Sequence, residues 1–300
     1  MIKTQNEVGV RLNSVSLSYK LTRLPGLQWL LPIIPLAYIL FLMVFSMISL
    51  FKLSISNEDG FTFEYVTHLF THTVYLEVLW LTIKTAFLVT AFALLLAYPI
   101  AYLLVRIESA TWKKLILGAV LIPFWISLLA RSYSWMILLQ EQGVINKILL
   151  GLGMIDQPLS LMYNTFGVII GMTHVLLPYM VLSLYSVMEG IDQSLVRAAE
   201  GMGARPWKAF LQVFFPLSLP GILSGALLVF VLAIGFYVTP ALLGGPNNMM
   251  ISMLIQENVT TTLNWHLASA LSLVLFVVTL LLLSLSLLLT RNNPLLKEDH

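Results

Sequence analysis

The residues able to do chemistry are few and widely spaced. Inside long apolar runs lie Lys84, Arg131 and His174, the last beside Thr173 and ahead of Pro178. An ionisable group within a membrane-length run is costly and usually serves a path, a pair or an interfacial anchor. Lys84 lies one to two turns inside its run, so its stem either snorkels outward or faces a solute path. Arg131, next to Ser132 and Tyr133, either pairs with a neighbouring helix or outer-loop carboxylate or serves the path. His174 reads as a satisfied structural histidine or as a ligand. Further along, "YVTPALLGGPNN" places Tyr237, Thr239 and Pro240 in a Gly- and Pro-rich interruption, which is either a broken helix beside a path or an outer-end turn.

Other chemistries are excluded. Cysteine is absent, so thiolate nucleophiles, thiolate metal sites and disulfides are ruled out. No His/Asp/Glu cluster has metal spacing, and neither HExxH nor GxSxG occurs, so no catalytic residue and no metal ligand is assigned. There is no G-x-x-x-x-G-K-[ST], hence no loop to cradle nucleotide phosphates. The net charge of +2, without a basic stripe, gives no footprint for nucleic acid.

The elements that must position these residues are membrane helices. The chain is 59% hydrophobic and 10% charged, with mean hydropathy +0.91, whereas soluble domains carry about 25% charged residues. Apolar runs near the ~20 residues needed to cross a bilayer predict six transmembrane spans. They fall at about 29–51, 79–105, 115–139, 166–188, 216–243 and 267–290. They form an all-α integral membrane domain over 29–290, between a leader (1–28) and a tail (291–300). The first run is too long for a signal-peptide core and has no small-x-small cleavage site after it, so it reads as a retained span.

Lys and Arg set the orientation. Twelve of the sixteen lie in the leader (Lys3, Arg11, Lys20, Arg23), the 106–114 and 189–208 loops and the tail (Arg291, Lys297). Three, Lys52, Arg131 and Lys147, lie on the other side. Both termini are therefore expected to be cytoplasmic. Small residues recur four apart at Ala93/Ala97/Ala101, Gly167/Gly171 and Gly221/Gly225, for ordinary bundle packing or a dimer seam.

One charged stretch stands apart, "EGIDQSLVRAAEGMGARPWKAFLQVFFPLSLPGI" at 189–222. Asp192 suits a helix N-cap, with Ile191 and Val196 at hydrophobic-staple spacing. Ile191, Leu195, Ala198, Ala199 and Met202 then share one face, with Gln193, Arg197 and Glu200 opposite. Gly201 and Gly203 are placed to end the helix, and Pro206 to begin the next. About ten residues at ~1.5 Å each cannot span a membrane. The small-residue face suits close docking in a groove of another protein.

This stretch resembles the cytoplasmic EAA loop of binding-protein-dependent ABC importer permeases. Ala198, Ala199 and Gly203 match the motif and "PLSLPGI" follows, while Arg197 stands where the motif has glutamate. Glu200, one turn on, partly substitutes. Three further stretches, "AYPIAYLLVR", "IPFWISLLARSYSW" and "FYVTPALLGGPNNMMISMLIQ", are similar to the polyamine/opine-type (spermidine/putrescine permease-like) branch.

The resemblance implies a type I ABC importer permease (MetI-like) fold in the bacterial inner membrane. It implies a coupling loop at 189–215, with Asp192, Leu195, Arg197, Ala198, Ala199, Glu200, Gly203 and Ala204 engaging the ATPase. The implied partners are two ATPase subunits, a second permease (another copy or a different chain), an extracytoplasmic substrate-binding protein and membrane lipid. No cofactor is bound by this chain; ATP and magnesium are used by the partner ATPase. The implied cargo is polyamine-like or another small amine, with opines, amino acids, aminophosphonates and thiamine still open. The rival classes are a self-sufficient ion-coupled carrier or channel, which would show paired ionisable groups deep in the bundle, and a membrane enzyme or scaffold.

Overall fold

The computed structural model describes residues 27–57 and 60–291. The leader's Lys3, Arg11, Lys20 and Arg23, and the tail's Lys297, lie outside the described residues, as do Glu58 and Asp59.

The chain divides into two units, at residues 1–53 and 54–300. In the first, α1 (Leu27–Ser54) is an apolar helix carrying Pro32 and Pro35 near its start.

The second unit opens with a two-strand antiparallel turn, β1 (Ser56–Asn57) and β2 (Gly60–Phe61), with Ser56 opposite Phe61. A short helix, α2 (Glu64–Thr71), leads into the 34-residue α3 (Thr73–Arg106). Next come α4 (Ala110–Trp125), α5 (Leu128–Leu139) and α6 (Val144–Gly151). The 25-residue α7 (Thr165–Glu189) and the nine-residue α8 (Gln193–Gly201) follow.

A long helical stretch then runs through α9 (Pro206–Ala209), a π-helical turn at Phe210–Phe214 and α10 (Phe215–Ile234). The unit closes with α11 (Val238–Leu243), a 3-10 turn at Pro246–Asn248, α12 (Ile251–Thr260) and α13 (Trp265–Arg291). Among the described residues five helices are long and apolar enough to cross a membrane, or six if α4 and the bent stretch after it count as one span.

The third apolar run departs from a single span over 115–139. The axis turns by 101° between Ala110–Trp125 and Leu128–Gly151. Pro123 cannot donate to the carbonyl one turn back, and Ile126 (φ −91°, ψ 131°) is extended rather than helical. The fifth run, read as 216–243, also splits: α10 ends at Ile234, and after a three-residue break α11 restarts at Val238 and ends just before the Gly244–Gly245 pair.

The core of the second unit lies where α3, α7 and α10 pack together. Ala86, Ala93, Ala97 and Ala101 of α3 are fully buried there, with Met172, Met180 and Leu184 of α7 and Val229 of α10. Small residues let these backbones approach. A Cβ at Gly225 would stand 2.8 Å from Met180 Sδ, and one at Gly171 would stand 2.3 Å from Leu243 Cδ1. The small-residue spacings are thus consumed by packing within the chain.

Candidate functional site

The first candidate region is the elbow formed by α8 and α9. Asp192 caps α8, accepting from the Ser194 backbone N–H at 2.8 Å and from Ser194 Oγ at 2.7 Å. Those two bonds, with the Arg197 charge nearby, hold its carboxyl below the usual aspartate value.

At the other end, Gly203 N–H donates to Glu200 O (2.9 Å) and Ala204 N–H to Ala199 O (3.0 Å). This is the paired closure of a helix whose C′ residue is left-handed, and Gly203 has φ +92°. Of the two glycines, Gly203 makes the turn, while Gly201 is the last residue of α8. Pro206 then starts α9, where its missing N–H costs nothing.

The burial of α8 divides the expected apolar face, leaving most of it outward and turning Ala199 inward. Val196 (5% exposed) and Ala199 (9%) are buried, whereas Leu195 is 48% exposed and Met202 85%. The wheel explains this: Val196 and Ala199 lean on the following turn, and Leu195, Ala198 and Met202 form a ridge pointing away from it. Gln193, Arg197 and Glu200 line a crevice of about 410 Å³ against Val105, Arg106 and Glu108 at the end of α3. Ala204 is half-buried beside the turn.

The elbow is bolted to the bundle by aromatic rings. Tyr102 of α3 meets Phe210 (5.2 Å) and Phe214 (5.0 Å), both near edge-on, and Tyr98 Oη lies 2.9 Å from Ser218 Oγ. The wide turn at 210–214 carries the Phe215 N–H to the Phe210 carbonyl, just before Pro216, which has no N–H to offer. Nearby, Lys113 at the start of α4 pairs with Glu189 at the end of α7 (2.8 Å).

The second region lies at the helix breaks. Ser132 Oγ of α5 and Thr239 Oγ1 of α11 hydrogen-bond at 3.1 Å, and both residues are fully buried. Thr239 and Leu243 press on α7 at Gly171. Ser252 Oγ donates to Phe236 O at 2.7 Å, satisfying a carbonyl freed where α10 stops. Thr82 Oγ1 accepts from the Ile251 N–H at 2.9 Å, capping the start of α12.

Beside this joint the His174 ring stands edge-on to Trp135 at 5.6 Å, and Arg131 is one turn before Trp135 on α5. The structure thus brings Arg131, His174 and Thr239 to one neighbourhood. Pro240 is buried with Thr239, and Tyr237 is 40% exposed at the start of α11. Lys84 is elsewhere: it is exposed on α3 and lines neither of the two cavities beside His174.

Reading the sequence missed Ser132, Trp135, Ser252 and Thr82. The signal available for the hydroxyls was their presence in apolar runs, which alone does not say which helix they meet.

No group of three or more His, Cys, Asp or Glu able to hold a metal occurs among the described residues. The geometry is that of a bundle of long apolar helices carrying one short, charged helix–turn–helix elbow among the described residues.

Comparison with known proteins decides the family. Residues 26–297 match the family described as "Binding-protein-dependent transport system inner membrane component". The chain belongs to this family. The permease is 32% identical over 254 residues, 82% of its length and 88% of the relative's, to the spermidine/putrescine transport system permease protein PotB of Haemophilus influenzae. It is 33% identical to PotB of Escherichia coli, covering 68% of this chain and 74% of that one.

Among solved structures, it is similar to a chain of a bacterial alginate ABC transporter bound to its periplasmic protein. The TM-score is 0.68 at 19% identity, covering 86% of the permease and 92% of that chain. It is also similar to a chain of the MetNI methionine ABC transporter (TM-score 0.55, 18% identity, 71% and 92% covered). These likenesses show the fold: an all-α, MetI-like ABC importer permease. The permease is a multi-pass inner-membrane subunit of a binding-protein-dependent importer, a family that works with ATPase and substrate-binding partners.

Proposed function

We propose that the permease forms half of a translocation path for a small amine, polyamine-like by its relatives' names, and moves it by alternating access. A second permease, another copy or a different chain, supplies the other half. Two ATPase subunits dock on the α8 side, which is the cytoplasmic side along with both termini. An extracytoplasmic binding protein delivers cargo to the opposite face. ATP and magnesium act on the ATPases, and this chain binds no cofactor and breaks no bond in the cargo.

The observation that carries this reading is α8 itself. Its backbone ends are closed by Asp192 and Gly203, so what it presents outward is the exposed ridge of Leu195, Ala198 and Met202. A closed helix with an apolar ridge suits insertion into a groove. Arg197 and Glu200, turned toward Arg106 and Glu108, flank that ridge rather than lead it.

As the coupling helix moves with the ATPases, the aromatic clamp on α3 passes the motion to α10. A self-contained ion-coupled carrier is disfavoured because no carboxylate lies deep in the described spans: Glu77 and Glu189 sit at the ends of α3 and α7.

The test is co-purification. Ala198→Glu puts a charge on the ridge without disturbing either helix end. Loss of the ATPase from mild-detergent preparations, with the permease still folded, is the expected result; full retention of the ATPase and of ATP-driven uptake would sink the reading.

A further inference from the structure

The two breaks in the apolar runs are finished differently. Where α10 gives way to α11, the chain serves itself. Phe236 N–H donates to Ala233 O, Ser252 Oγ donates to Phe236 O, and Thr239 and Pro240 just past the break are buried. Where α4 gives way to α5, it does not. Ile126 (ψ 131°) and Ser127 (ψ 137°) are extended between the two helices, and Ser127 at the N-cap makes no side-chain bond to the amides that open α5. Ile126 N–H reaches back to Pro123 O at 3.3 Å, which serves the end of α4 but not the start of α5. The first amides of a helix need acceptors from outside its own ladder.

Two contacts fix the depth of this break. Lys113 pairs with Glu189 where α4 begins and α7 ends, and the Phe124 ring meets Tyr179 of α7 edge-on at 4.9 Å. Phe124 is eleven residues past Lys113, and Tyr179 is ten before Glu189. The two helices thus run side by side for about 15 Å, half of a ~30 Å hydrocarbon core. The break lies near mid-membrane.

The described chain leaves this place open. Trp125 is 91% exposed, more than any other large apolar side chain among the described residues. Ile126, Leu129 and Tyr133 are exposed with it, as are Ser127, Ala130 and Ser134.

Hydrocarbon does not suit such a face, because backbone that has left the helical ladder is tolerated at membrane depth only against protein or a water-filled cavity. Water is a poor cover for a cluster of large apolar side chains. Ala130 and Ser134, four apart on the open side of α5, let another helix backbone come close. A protein that reaches mid-membrane must itself span the bilayer, so soluble ATPases and a soluble binding protein do not fit.

We propose that the face around Trp125, Ile126, Leu129, Ala130 and Tyr133 is the seam against the second permease, whose polar groups complete the open backbone of the break. Trp125, large and fully presented, is its anchor. This rests on the permease reading above and names the surface through which the two halves meet.

The test places the photo-crosslinking residue p-benzoylphenylalanine, an aromatic of similar bulk, at Trp125 and separately at Leu129 in the assembled transporter in membranes without its binding protein. Illumination is expected to join this chain to the second permease at both positions, read as a band at the summed mass and identified by peptide mass spectrometry. Ser127→Cys, in a chain with no cysteine of its own, reports on water. Its labelling by a charged, water-soluble thiol reagent should be at least tenfold slower than that of Thr261→Cys in the exposed turn before α13. Trp125→Ala should lower recovery of the second permease in mild detergent several-fold.

Adducts to lipid alone, or confined to this chain, at both positions overturn the proposal. So does a Ser127→Cys that labels as fast as Thr261→Cys, which would make the break the lining of a wet path. Unchanged recovery with Trp125→Ala overturns the anchoring role of that residue. The subunit composition of the untreated assembly reports separately on the permease reading. An assembly with no second permease sinks that reading, whereas one holding two permeases that never join through position 125 or 129 sinks only the seam.

Discussion

The elbow at 192–206 and the joint of α5, α7 and α11 are built on opposite plans. At the elbow the helix ends are satisfied locally, by Asp192 at one end and by the Gly203 and Ala204 amides at the other. What remains open is an apolar ridge. At the joint the contacts are long-range, Ser132 to Thr239 across 107 residues, and beside them three buried polar atoms stay open. The elbow, the proposed docking surface, presents apolar area on a finished backbone. At the joint, burial instead leaves Arg131 Nε, Thr173 Oγ1 and His174 Nδ1 without partners within the chain, a condition that costs stability unless another group meets them.

The contrast predicts unequal responses to equal insults. The largest effect is expected from Gly171→Leu. Even a Cβ there would lie 2.3 Å from Leu243 Cδ1 and 2.7 Å from Thr239 Cγ2, so α11 must move off α7. Overpacking of this kind costs about 1–3 kcal/mol and sometimes more. Uptake should be lost together with thermal stability of the assembled transporter.

Gly203→Val comes next and acts differently. A Cβ there meets nothing within 4 Å, so the penalty is the backbone at φ +92°, which a β-branched residue resists; such strain is worth about 1–3 kcal/mol. Uptake and ATPase retention should fall together while the bundle's stability stays near wild type. If Gly203→Val instead destabilised the bundle as much as Gly171→Leu, the two regions would not be separable.

Ser132→Ala is expected to be milder, about 1–3 kcal/mol from stranding the Thr239 hydroxyl in a buried site. It should lower uptake without releasing the ATPase, which a pull-down checks directly.

The same contrast decides what the sequence disclosed. The elbow was legible because its cap, its left-handed stop and its Pro206 restart obey rules acting over a few residues. The resemblance to the EAA loop fell on those same residues. Even there Ala199, placed on the outward apolar face, is instead buried with Val196 against the turn that follows, which the helix's own pattern does not show.

Six apolar runs gave the helical class, but run length conceals direction. The 101° turn after Trp125 left only Pro123 as its mark, inside a stretch greasy enough to pass for one span. Arg131 and His174 were each visible as odd residues in apolar runs. That they share one neighbourhood with Thr173 was not, because 42 residues of intervening chain separate Arg131 from His174 in sequence.

The smallest effect, and the sharpest test of local closure at the elbow, belongs to Asp192. Its carboxyl is held below the ordinary aspartate value by the Ser194 hydroxyl and N–H and by the Arg197 charge. A depressed native value means that the charged cap favours the folded helix above the unfolded value and that this advantage fades as pH falls through the native one. From pH 6 to pH 8 the cap should therefore be insensitive to pH, and ATPase retention should be flat across that range. Asp192→Asn keeps an oxygen able to accept the Ser194 N–H and should retain most of the coupling. Asp192→Ala removes the acceptor, frays the first turn and should weaken ATPase retention roughly a few-fold. Should alanine behave like asparagine, α8 would be held by its ridge and buried face alone, and local closure would not be what separates the elbow from the joint.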